Sequence, residues 1–116
     1  MPHPVVHLEL RTANLPSACA FYARLLGWHA QTVHAGAGSY VVLDAGEGIG
    51  LGVVEHDAAV TSWLPYIEIA DIAAVTERAR LLGAAVLLEP REGPAGWRGV
   101  LQAPAGEEIA LWQPKL

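Results

Sequence analysis

Three residues near the start of the chain, His7, Glu9 and Arg11, could do chemistry together. They alternate with Val6, Leu8 and Leu10 in "VVHLELRT", so on an extended strand they share one face and the aliphatic residues share the other. An imidazole beside a carboxylate can move a proton near neutral pH, and a guanidinium can hold a carboxylate. Such a row belongs on a face that looks into water or into a pocket.

The elements that position this row follow from a repeat. "ARLLG" occurs at Ala23–Gly27 and again at Ala79–Gly83. Before each copy comes a strand pattern (Val5–Thr12, Trp63–Ile69), then an N-cap (Asn14, Asp71), then apolar residues at helical spacing. Leu15, Ala18, Tyr22 and Leu25 recur at helical spacing in the first helix, and Ile72, Val75, Ala79 and Leu82 in the second, with Gly27 and Gly83 as αL stops. Three strands follow each copy: Trp28–Val33, Ser39–Asp44 and Ile49–Val54, then Ala85–Glu89, Gly99–Gln102 and Glu108–Gln113. Glycine-rich turns, including "HAGAGS" and the longer "PREGPAGWR", connect them. The chain therefore reads as one α+β domain, residues 1–116, of two βαβββ modules spanning about 4–55 and 63–113 and joined by "EHDAAVTS".

One helix covers one face of each module's sheet. Val6, Leu8, Leu10, Ile49, Leu51 and Val53 supply that face in the first module, and Ile109 and Leu111 in the second. The opposite faces carry His7, Glu9, Arg11, Gly50 and Gly52, and Leu64, Tyr66, Glu68, Ala110 and Trp112. Glycine inside a strand marks a close approach. Sheets curling toward each other would line a small-molecule cavity with these residues. Trp97, in its glycine-rich loop, is placed to close over it.

The remaining composition narrows the function. A formal charge of −5 with no run of Lys and Arg gives nucleic-acid phosphates nothing to hold. The start "MPHPVVHLEL" has no signal core, and no stretch is long enough to cross a membrane. A single cysteine, Cys19, read as a buried helix residue, makes a cytoplasmic setting the default.

"HLELRTANLPSACAFYARLLGW", "YIEIADIAAVTERARLLGAAVLLEP" and "APAGEEIALWQ" resemble the signatures of the vicinal oxygen chelate superfamily, the group of glyoxalase I, bleomycin-resistance proteins and extradiol dioxygenases. The turn commonly written Asp-Pro-Asp-Gly there is Ala103-Pro104-Ala105-Gly106 here. The resemblance implies an incomplete barrel of the glyoxalase/bleomycin-resistance type, with modules paired between the chains of a homodimer. It also implies four metal-ligand positions, which fall on His7, on Gly50 or Gly52, on Leu64 and on Ala110. Only His7 can donate an electron pair, and a divalent ion wants three or four protein ligands. An atypical site would need His7 and Glu9, roughly 6.7 Å apart by Cα, with Glu68 or Glu108. His3, His29, His34 and His56 form no group in the sequence.

Arg11 stands where glyoxalase-type members hold a substrate carboxylate; a salt bridge with Glu68, its equivalent in the repeat, is the competing reading. Trp97 and Trp112 match the aromatic platforms of antibiotic-binding members, against a purely structural role. The expectation is a metal-independent protein without cofactor that binds a small organic ligand. The alternative is a lyase, isomerase or dioxygenase using an atypical divalent-metal site or His7, with Glu9, as acid–base.

Overall fold

The computed structural model describes residues 3–35, 38–57 and 60–116. Residues 36–37 of the "HAGAGS" turn and 58–59 of the linker lie outside the described residues. The elements run β1 (Val5–Thr12), α1 (Leu15–Leu26), β2 (His29–Ala35), β3 (Gly38–Asp44) and β4 (Gly50–Glu55), then β5 (Ser62–Glu68), α2 (Ile72–Leu81), β6 (Ala85–Glu92), β7 (Gly96–Gln102) and β8 (Glu108–Pro114). This is an α+β fold of two βαβββ modules. The chain divides into two compact units, one of His7–Leu64 and one of Pro65–Leu116 with the first residues through Val6.

Both helices start where the side chains dictate. Asn14 Oδ1 accepts from Ser17 N at 3.0 Å, and Asp71 Oδ1 accepts from Ala74 N at 3.1 Å. Each bond satisfies an amide that has no partner inside its helix. Pro16, in the first turn of α1, has no N–H to waste there. Gly27 (φ 74°) and Gly83 (φ 95°) take the left-handed conformation that ends each helix and that a side chain would resist.

In the first module the strands are ordered β2-β3-β4-β1, with β1 and β4 parallel; in the second the order is β5-β8-β7-β6, with β5 and β8 parallel. Helix α1 covers a core of Leu10, Leu43, Leu51 and Val53, against which Leu8, Leu15, Cys19, Tyr22 and Trp63 pack. Tyr22 stacks on Trp28 at 5.5 Å between ring centroids. Helix α2 covers Ile69, Ile72, Leu101 and Leu111. Burial at Cys19 pushes its thiol up, away from the reactive thiolate. No helix among the described residues is long and apolar enough to cross a membrane.

Two segments depart from the sequence-based expectation. Strands β6 and β7 reach into "PREGPAGWR", leaving only residues 93–95 as the turn. Proline and glycine suggest a loop, but β6 ends its module's strand order, where a missing N–H costs no ladder bond. Trp97 accordingly lies in β7 rather than in a closing loop. Its ring packs on the α2 side against the Leu101–Leu111 core, under the Lys115 ammonium at 5.6 Å.

Candidate functional site

The β1–β4 register sets the first module's polar face. His7 pairs with Gly50, Glu9 with Gly52 and Arg11 with Val54, while Leu8 and Leu10 pair with Leu51 and Val53 on the helix side. The two glycines do not open a void. A methyl group built on Gly50 would stand 3.0 Å from His7 Nδ1, and one on Gly52 would stand 2.9 Å from Nε2. The His7 imidazole is therefore laid along β4, over two positions where any side chain would displace it. Room expected for a ligand is occupied by the protein's own histidine.

This seat has an electrostatic consequence. Burial disfavours the charged ring and lowers the His7 pKa below its ordinary 6.5, partly opposed by the Glu9 carboxylate. His7 is neutral at pH 7. The stability tied to this is fully present above pH 6.5, the unfolded value, and is lost as pH falls through the lower folded value. An NMR titration of the His7 ring protons should give a midpoint below 6.5, with stability decreasing as pH drops through that window. A midpoint above 6.5 would show that the ring is not seated.

Glu9 and Arg11 flank the ring on the same face. Arg11 Nη2 donates to Ser62 Oγ at 3.1 Å, fixing the guanidinium, and Thr61 Oγ1 donates to Thr12 Oγ1 at 3.4 Å close by. The ladder extends the row from Glu9 through Gly52 and Val42 to Gln31. Gln31 is a polar member of this face that the sequence reading missed. Alternation in "HAQTVHA" was the available signal.

The second module's face holds Tyr66, Glu68, Val100, Arg98, Ala110 and Trp112, as the β5–β8 and β7–β8 pairings require. Leu64 and Ala110 are completely buried and Tyr66 nearly so, so they offer a ligand little or no exposed surface. Arg98 Nε donates to Tyr66 Oη at 2.7 Å, with the guanidinium 5.7 Å from the ring centroid. The Trp112 indole edge lies over Gly96, where a methyl group would stand 2.9 Å from Cη2. Trp97 points to the opposite side of the sheet. A cleft of about 420 Å³ opens beside Glu68, lined otherwise by His3, Ile69, Ala70, Gln113, Pro114 and Leu116.

The donor set does not suit a divalent ion. Of the positions where the superfamily places ligands, Gly50, Gly52, Leu64 and Ala110 carry no donor, and His7 is turned onto its neighbouring strand. No three His, Cys, Asp or Glu side chains cluster to hold an ion among the described residues.

The family described as a glyoxalase-like domain matches residues 6–112. Among solved structures, methylmalonyl-CoA epimerase from Mycobacterium tuberculosis is 19% identical, with a TM-score of 0.63 over 100% of this chain and 93% of that one. A hypothetical protein from Bacillus halodurans is 12% identical, with a TM-score of 0.72 over 100% and 97%. A Streptomyces coelicolor methylmalonyl-CoA epimerase variant in complex with 2-nitronate-propionyl-CoA is 19% identical, with a TM-score of 0.64 over 97% of each chain. These likenesses establish the shared fold. No curated protein matches the sequence.

Proposed function

The chain belongs to the glyoxalase-like domain family of the vicinal oxygen chelate superfamily, and on that premise we propose that it binds a small organic ligand without metal, in the manner of bleomycin-resistance proteins. The observation that carries this reading is the seat of His7. The place on β4 where a metal ligand would stand is filled by a neutral imidazole spread over Gly50 and Gly52. What remains is a recognition surface: a flat ring, the Glu9 carboxylate as acceptor, and an Arg11 guanidinium already oriented by Ser62. Such a surface suits a compact polar molecule.

A thermal-shift screen of planar antibiotics and small carboxylates tests it. Hits should stabilise the wild type and lose most of that shift in His7→Ala, while elemental analysis of gently purified protein finds no stoichiometric divalent ion. Stoichiometric nickel, zinc, iron or manganese would overturn the reading.

A second reading has its own observation. A neutral imidazole beside Glu9 is in the protonation state of a general base, and two of the three structural relatives named above are methylmalonyl-CoA epimerases. Methylmalonyl-CoA incubated in D2O separates the two. Binding alone incorporates no deuterium, whereas incorporation abolished by His7→Gln would establish acid–base catalysis.

The cytoplasmic homodimer completes the proposal. It is supported by apolar side chains left outside, Phe21 and Leu25 on α1 being 56% and 61% exposed. Sedimentation at micromolar concentration should report a dimer, and a monomer would remove this part of the reading.

A further inference from the structure

We infer that the cleft beside Glu68 binds a compact organic amine as its ammonium ion. The site stands independently of the His7 reading. Backbone bonds hold its walls in place. Glu68 N donates to Pro4 O at 2.9 Å, which keeps the segment after His3 along the end of β5. Ile69 N donates to Trp112 O at 2.7 Å, which ties that same end to β8. The cleft of about 420 Å³ formed there falls within the span of about 300–1,000 Å³ usual for small-molecule sites.

Glu68 sets the charge of the cleft. It is the only Asp, Glu, Lys or Arg lining it among the described residues. Its carboxylate is half-buried and makes no hydrogen bond or ion pair among the described residues. The cations that could have neutralised it are committed elsewhere. Arg98, in the same cross-strand row, donates to Tyr66 Oη at 2.7 Å. Lys115 Nζ lies 2.9 Å from Glu92 Oε2. A half-buried carboxylate without a counter-ion favours a cation that brings its own N–H donors.

The neighbouring helix end does not turn the site toward anions. Amides at a helix start attract negative charge, but those of α2 are already served from within the chain. Ile72 N donates to Gln113 Oε1 at 2.8 Å, and Ala74 N donates to Asp71 Oδ1 at 3.1 Å. His3 also lines the cleft, and a ring nitrogen there can accept a second N–H bond. Ala70 and Pro114 supply apolar wall that stays accessible. The ligand class is a primary ammonium on a short aliphatic body.

Backbone NMR shifts at low ionic strength test this with isoamylamine. Isoamyl alcohol and isovalerate serve as neutral and anionic probes of similar shape. The amine should move the Ile69, Ala70 and Gln113 amide signals saturably, and the other two should not. Glu68→Gln should weaken amine binding about tenfold or more, the worth of a hydrogen bond to a charged group, at an unchanged melting temperature. Ala70→Leu, which fills the apolar wall, should weaken it without any change of charge. His7→Ala should leave the titration as it was. The assignment is overturned if the amine gives no saturable shifts, if isovalerate binds as tightly, or if Glu68→Gln binds like the wild type. Loss of amine binding in His7→Ala would likewise overturn it, by moving the amine to the His7 face.

Discussion

Gly52→Ala should unseat His7 while leaving the protein folded. The added methyl would stand 2.9 Å from Nε2, closer than real side chains tolerate, while the nearest backbone atom, Val41 O, is 3.9 Å away. The ring is the group the methyl must displace. It should swing off β4, regain water, and titrate closer to the ordinary 6.5. Overpacking of this kind costs about 1–3 kcal/mol. Loss of the thermal shift with any ligand hit should match that of His7→Ala. In the double variant the methyl has nothing to displace, so the two losses should fall well short of adding. An unchanged His7 midpoint in Gly52→Ala would show that the glycines serve something other than this ring.

Leu111→Ala should be among the most damaging single truncations. Leu111 is 2% exposed at the centre of the α2 core, packed with Ile69, Ile72 and Leu101. Deleting its buried methyl groups removes their transfer free energy and leaves a cavity, together about 2–5 kcal/mol. Whole domains hold only about 5–15 kcal/mol. Leu81→Ala is the contrast: that side chain is 87% exposed, so its truncation should change stability by less than about 0.5 kcal/mol. Urea unfolding of both variants measures the difference, and equal effects would mean that α2 packs on another face.

Much of the fold was legible because several local signals agreed. Asn14 and Asp71 cap the helices as their side chains suggest, and the alternation of "VVHLELRT" places Leu8 and Leu10 against α1 with His7, Glu9 and Arg11 opposite. The extent of β6 and β7 was not legible. Pro90, Gly93 and Gly96 are turn punctuation in most settings, and here two of them are strand residues. Gly96 admits the β8 backbone at Gln113 and Pro114 together with the Trp112 indole, and Pro90 follows the register shift of a strand that ends the order. With that stretch read as a loop, Trp97 was placed over a pocket rather than in the core. The glycines of β4 show another limit. Their smallness announces a close approach, but which atoms approach depends on register and rotamer, and the occupant turned out to be His7.

In both modules the first strand pairs in parallel with the last. β1 finds its partner only after α1, β2 and β3 have been passed, and β5 waits in the same way for β8. The β2–β3 and β6–β7 ladders join strands adjacent in sequence, so they can form quickly. Closing β1 onto β4 spends loop entropy before any contact repays it, and that closure should govern the folding rate. The imidazole of His7 can reach Gly50 only once this last pairing is made. The His7 face is therefore assembled at the end of folding, and a chain that stalls before β4 docks leaves β1 with an open edge able to pair with another molecule.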